Sequence, residues 1–172
     1  NGTVNSIGLT GPGLLYWIEH TLPRLNPAWR YVISITTTSL EEVEVMGGLV
    51  RLAAQGRPHI VGVEFNASCP NSPGERELLD NTKQVFVLVR ALRKAIEPLP
   101  LLLKLSAQQE CRRIVQMTAP YLEAVELNSV PWAVAFPGEP SPLAKKFGAG
   151  GVSGSAAQAK NWEMVSNLTL PS

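Results

Sequence analysis

An α/β fold built on a parallel sheet is what this sequence predicts, and three observations predict it. Stretches with the helical apolar repeat alternate along the chain with short, β-branched apolar stretches. The strand-like stretches begin near residues 31, 60, 101 and 124, at intervals of 29, 41 and 23 residues, and each interval holds one helical pattern. The repeating unit is therefore βα, which makes consecutive strands parallel. The strands are apolar on both faces, with polar residues gathered at their C-terminal ends, the distribution of a (β/α)8 barrel or a doubly wound sheet.

The elements follow in order. Leu14, Trp17, Ile18 and Leu22 fall at i, i+3, i+4 and i+8, one face of a helix that the Pro23 region ends. Tyr31 to Thr36 is β-branched and apolar and reads as a buried strand. Ser39 stands three residues before Glu42 in a capping box, after which Val43, Met46, Leu49 and Val50 carry a helix to about Gly56. Ile60 to Phe65 is the second strand, and it runs directly into the polar, proline-containing stretch Asn66 to Glu75, a loop placed for function. Val85, Leu88, Val89, Leu92 and Ile96 mark the next helix, punctuated by Pro98 and Pro100. Leu101 to Leu105 is the third strand, Cys111, Ile114, Val115 and Thr118 share a helix face, and Ala124 to Leu127 is the fourth strand, ending in Asn128-Ser129. A proline-rich loop to Pro142, a glycine-rich turn from Phe147 to Gly154 and a helix from about Ala156 to Leu168 complete the chain. A whole barrel needs roughly 250 residues, so 172 residues supply about four βα units.

Composition narrows the function. With 45% apolar and 17% charged residues the chain suits one globular domain. Fifteen Lys plus Arg against fourteen Asp plus Glu leave a charge of +1, no electrostatic footprint for nucleic acid or an anionic membrane. Apolar runs such as Leu14 to Ile18 and Val85 to Val89 fall far short of the roughly 18 residues of a membrane span, so a soluble protein is expected. Cys69 and Cys111 make neither a disulfide framework nor a metal-binding cluster, which fits a reducing, cytosolic setting without a bound metal. Two histidines, His20 and His59, and a single aspartate, Asp80, leave an Asp-pair or Ser-His-Asp mechanism hard to staff. The sequence begins at Asn1 without Met and reads as a fragment.

The chemistry concentrates in Val63 to Gly74. Cys69 lies between Ser68 and Pro70, flanked by the amides of Asn66 and Asn71. Each amide presents one acceptor and two donors, so a pair can grip the N–H and C=O edges of a planar imide or pyrimidine. A thiol beside such a clamp can act as nucleophile or, as thiolate, as general base. The plainer alternative is a structural cysteine with asparagines satisfying turn backbone. Lys104 interrupts an apolar strand, so its ammonium needs a partner: it serves a ligand, snorkels to solvent, or pairs with Glu64 or Glu126. The glycine-rich turn before a helix either aims backbone N–H groups at a phosphate or is a surface loop. Cys111 reads as a small core residue, His20 and His59 as surface or capping residues, and Trp132 as a cover for the substrate or a packing residue.

The stretch VEFNASCPN resembles the signature loop of the dihydroorotate dehydrogenase family, among members that use cysteine as active-site base. Four further segments agree in order. Asn5-Ser6-Ile7-Gly8-Leu9 is similar to the family's NSxGL substrate segment, LLLKL supplies its strand-borne lysine as Lys104, Leu127-Asn128-Ser129 resembles its second substrate segment, and Gly150-Gly151-Val152-Ser153-Gly154 resembles its flavin-phosphate turn. Thr10-Gly11 replaces the commoner Pro-Asn, a departure that leaves Asn5 and the backbone of Ile7 to Leu9 within the pattern.

The resemblance implies a (β/α)8 TIM-barrel fold, with residues 1–172 the central part of a single FMN-binding domain truncated at both ends. It further implies FMN-dependent oxidation of dihydroorotate to orotate in de novo pyrimidine biosynthesis, in the cytoplasm, with homodimers common in the family. Cys69 is then the general base. Asn5, Ile7, Gly8, Leu9, Asn66, Asn71, Asn128 and Ser129 bind the substrate, and Asn66, Lys104, Leu127, Ser153 and Gly154 bind FMN. Two alternatives stand beside this. One is another FMN-dependent pyrimidine oxidoreductase similar to the reducing module of dihydropyrimidine dehydrogenase, although that relative usually reads Cys-Pro-His where this chain has Cys-Pro-Asn. The other is an inactive partial domain with open sheet edges.

Overall fold

Four parallel strands, β2 (Tyr31–Ile35), β3 (Ile60–Asn66), β4 (Leu101–Leu105) and β5 (Ala124–Leu127), pair in the order in which they occur in the chain. In this computed structural model the described residues are 2–6, 8, 10–68, 78, 81–127, 130–143 and 150–168. Helices α2 (Leu40–Ala54), α3 (Thr82–Ile96) and α4 (Cys111–Thr118) connect successive strands, α2 packing on α3 and α3 on α4. A doubly wound sheet reverses its strand order and carries helices on both faces. Sequential order with right-handed crossovers puts every connecting helix on the same face, the arrangement of a barrel wall. The chain thus forms an incomplete α/β barrel of the TIM type.

Strand parity separates the two faces of this wall. Ile33, Ile35, Val63, Phe65, Leu101, Leu103 and Leu105 are buried against Val43, Val50, Val85, Leu88, Val89, Leu92, Ile96, Ile114 and Val115 of the helices. The intervening residues point the other way. That second face carries Val32, Ser34, Glu64, Asn66, Leu102, Lys104 and Glu126.

Most expected elements fall within a residue or two of their places, and the differences have identifiable causes. The expected helix over 14–22 is α-helical only in α1 (Leu14–Tyr16), widens to a π-turn over Trp17–Thr21 and tightens to a 3-10 turn over Leu22–Arg24. Pro23 has no N–H to continue the α-helical ladder. Ser39 caps α2 by accepting from the Glu42 backbone N–H at 3.2 Å, but the Glu42 carboxylate accepts from the Thr37 hydroxyl, so only half of the capping box forms.

A second sheet escaped the sequence reading. Strands β1 (Gly2–Asn5), β7 (Gly151–Gly154) and β6 (Val130–Pro131) form an antiparallel ribbon with β7 in the middle. A short helix, α5 (Trp132–Ala135), follows β6 where only a proline-rich loop was expected. Helix α6 (Ser155–Asn167) follows β7; its Ala157 belongs to the small cluster of Val130 and Val152, whereas Met164 and Leu168 pack against the main core.

Adjacent glycines in α2 test the helix-layer packing. A Cβ on Gly47 would lie 2.6 Å from the Ala95 Cβ of α3, whereas one on Gly48 meets nothing within 4 Å. Gly47→Ala is expected to lose about 1–3 kcal/mol through overpacking, and Gly48→Ala to gain about 0.5–1 kcal/mol through helix propensity. Urea denaturation of both variants checks this; effects of the same sign would contradict the packing.

Candidate active site

The face of the parallel sheet turned away from the helices gathers polar groups toward the C-terminal ends of its strands. Glu64 lies beside Ser34 of β2, and Asn66 lies beside Lys104, which in turn lies beside Glu126. These residues share one face because register and period-2 alternation put them there.

Glu64 is the hub of this cluster. The Lys104 Nζ lies 2.5 Å from its Oε1, the Ser34 hydroxyl donates to the same oxygen, and Lys104 is 3.9 Å from Glu126 Oε1. Burial alone would raise the Glu64 carboxyl, but hydrogen bonds from Glu126, Lys104 and Ser34 and the lysine charge outweigh it and hold it below its ordinary value of 4.5. Glu126 moves the other way. Its hydrogen bond with Glu64, then its own desolvation and the like charge of Glu64, push it up to about 7 against the pull of Lys104. Of the two carboxyl groups, Glu64 is thus the one favoured as the carboxylate and Glu126 the one whose ionisation is delayed, as for neighbouring acids of like charge. Of the alternatives for Lys104, the ion pair with Glu64 is present.

The strand-end loops are fastened from below. Asn66 is buried, and its Oδ1 accepts from the Ser68 backbone N–H at 3.1 Å and from the Ser68 hydroxyl at 2.7 Å. Its Nδ2 has no partner among the described residues. Gln109, also buried, donates from Nε2 to the carbonyls of Ala67 and Leu78, each at 3.1 Å, while its Oε1 accepts from Ser106 N–H at 2.8 Å. One amide thus ties the described residues on either side of segment 69–77 to the loop after β4. Cys111 packs beneath, its Sγ donating to the Ser106 carbonyl at 3.2 Å, and burial pushes its thiol up to about 11. It is an inert core cysteine, as the sequence suggested.

The antiparallel ribbon joins three of the segments singled out by sequence. Asn5 pairs with Gly151, and Val130, the residue after Asn128-Ser129, pairs with Val152. The expected glycine-rich turn is therefore a strand over Gly151–Gly154, its backbone largely engaged with neighbours on both sides. Gly150 and Gly154 sit at φ of 76° and 87°, conformations that favour glycine. Gly154 is the N-cap of α6 and has no side chain to cap it, so that helix begins directly at the end of β7. An ammonium at Lys104, the amide nitrogen of Asn66 and the amides following Gly154 are donors of the kind an anionic, amide-rich cofactor such as a flavin mononucleotide takes.

The expected site residues are placed as follows. Asn66 and Lys104 are brought side by side; Asn5, Ser153 and Gly154 share the ribbon, but Asn5 lies across from Gly151 at the opposite end of the β1–β7 ladder from Gly154, with Gly8 just beyond β1. Leu127 turns its side chain into the helix-side core, away from Lys104. Cys69, Asn71, Asn128, Ser129, Ile7 and Leu9 lie outside the described residues. Trp132 packs 4.5 Å from the Phe136 ring, and its Nε1 donates to Glu139 O at 2.9 Å, which makes it part of the ribbon's own core. His20 is exposed beside Glu19, and His59 meets the Tyr31 ring edge-on. Sequence reasoning missed Ser34 and Gln109; a hydroxyl in the otherwise apolar YVISI strand was the available signal for Ser34.

Among the described residues no helix is long and apolar enough to cross a membrane, and no group of three potential metal ligands occurs. A family model described as dihydroorotate dehydrogenase matches residues 1–170. The catalytic subunit of dihydroorotate dehydrogenase B (NAD(+)) from Petrotoga mobilis is 32% identical over 126 residues, covering 72% of this chain and 39% of its own length. The proteins of that name from Maridesulfovibrio salexigens and Staphylococcus carnosus are 29% and 31% identical over 106 residues, covering 61% and 62% of this chain and 34% of their own lengths. The chain spans little more than a third of the curated relatives it matches.

The Glu64 cluster has a measurable signature. A carboxyl whose pKa is lowered by folding stabilises the fold above its ordinary value of 4.5 and loses that contribution as pH falls further. Lys104→Met is expected to lose roughly 1–3 kcal/mol at neutral pH, because Glu64 is left without its cation, and to flatten the acid-side fall in stability. Denaturant titrations between pH 3 and pH 7 check both; an unchanged acid limb would show that the pair contributes nothing.

Proposed function

Because the chain belongs to the dihydroorotate dehydrogenase family, we propose that the protein it represents is an FMN-dependent enzyme that oxidises dihydroorotate to orotate with Cys69 as general base. The observation that carries this reading is the pairing of Asn66 with Lys104 at the C-terminal ends of adjacent strands, on the sheet face opposite the helices. In a (β/α)8 barrel, that end is where reactions are catalysed.

FMN, when bound, supplies the hydride acceptor for C6 of the substrate. The protein's own groups do the rest. Cys69 takes the proton from C5. Asn5, Asn66, Asn71, Asn128 and Ser129, with the backbone of Ile7, Gly8 and Leu9, orient the pyrimidine ring and its carboxylate through hydrogen bonds. Such a site rejects a ring lacking those groups, because its own amides are then left unpaired. Lys104 provides positive charge for the electron-rich edge of the reduced cofactor, Asn66 and the backbone of Leu127 hold its ring, and Ser153 and Gly154 with the start of α6 receive its phosphate. The names of the three relatives support NAD+ as the final electron acceptor. A cytoplasmic, homodimeric enzyme of pyrimidine biosynthesis fits this reading.

A Cys69→Ser exchange in the complete protein, assayed across pH, is the test. An ordinary thiol ionises near pH 8.5, so the parent rate should climb through neutral pH. The serine variant should lose roughly 100-fold or more at pH 7 while keeping the yellow absorbance of bound FMN. An unaffected rate would remove Cys69 from the mechanism, and a colourless protein that forms no orotate would overturn the assignment.

A further inference from the structure

Glu126 is a titratable side chain beside Lys104 that the reaction above leaves unused. It lies on the next strand at the register of Lys104, 3.9 Å from the ammonium that Glu64 also holds, and its ionisation is linked to that of Glu64. Among the described residues, the charged groups that face it are Lys104 from β4 and Glu64 from β3, with the Ser34 hydroxyl of β2 on the far side of Glu64. We propose that Glu126 is a positioning residue acting through Lys104: its carboxyl decides whether the cluster of Ser34, Glu64, Lys104 and Glu126 meets a bound flavin as a neutral group or with net negative charge.

Charge counting makes the consequence definite. With the proton on Glu126, the charges of Glu64 and Lys104 cancel, and the neutral acid donates to Glu64, leaving the ammonium one full counter-ion. Without that proton the cluster carries one net negative charge, and Lys104 is drawn between two carboxylates. The change falls near pH 7 because Glu64 and burial raise the Glu126 carboxyl to about that value. Reduction adds negative charge to the flavin, so ionised Glu126 opposes the reduced state and neutral Glu126 does not. The preference of the site for reduced over oxidised flavin should thus fall as pH rises from 6 to 8. About tenfold is the size one charge exerts at a few ångströms in a partly solvated site. Glu126 has 44% of its side chain exposed, so the exchange for an amide disturbs little packing.

This inference rests on the FMN reading, and the experiment separates the two. The midpoint potential of flavin bound to the complete protein is measured from pH 5.5 to 8.5 for the parent and for Glu126→Gln, whose amide is neutral throughout and still donates to Glu64. The expected result is a departure of about tenfold from the pH dependence of free flavin in the parent, centred near pH 7 and absent in the variant. Should the amide variant fail to fold, Glu126→Ala gives the same comparison. Superimposable curves for parent and variant, both with flavin bound, overturn the role of Glu126 and leave the enzyme assignment standing. A parent that binds no flavin overturns the assignment and this role with it.

Discussion

A lysine ammonium set into a sheet face and held there by one carboxylate is the constraint on which the rest of the site depends. An unpaired ammonium in an apolar strand would be driven out toward water. Glu64, one strand away on the same face, accepts from Lys104 and from Ser34 at once and so fixes the position of the group. The arrangement follows from register. Had β3 slipped by one residue against β4, Glu64 would have turned into the helix layer beside Leu101 and Leu103, and Val63 and Phe65 would have turned onto the polar face.

The parallel wall was legible because each of its strands is long enough to show an apolar run, and each connecting helix shows a clear 3.6-residue repeat. Leu101–Leu105 and Cys111–Thr118 fall where they were expected. The βα alternation alone does not choose between barrel and doubly wound sheet, since both share it; the family resemblance implied the barrel, and strand order and the single helix face bear it out. The antiparallel ribbon was invisible for a different reason. Its strands have two to four residues, include glycine and proline, and pair Gly2 with Gly154, a separation over which local periodicity carries no information.

Candidate site residues divide along the same line. Asn66 was legible as an amide at a strand end, Gly154 as part of a glycine-rich turn before a helix, and Lys104 as a lone cation in an apolar strand needing a partner such as Glu64 or Glu126. The supporting amide of Gln109 could not be foreseen. Its partners are Ser106, three residues away, and Ala67 and Leu78, 42 and 31 residues away, and nothing in a QQE tripeptide distinguishes it from Gln108. Candidate site residues at strand ends and turns were thus easier to read than the residues that steady them.

Helix α6 is shared between the two sheets. It starts at the glycine end of the ribbon, beds Ala157 in the ribbon's small cluster, and buries its far end, Met164 and Leu168, against the barrel wall. Packing at both of its ends makes this one helix a shared wall of two hydrophobic clusters, so that neither the ribbon nor the parallel sheet is covered independently of the other.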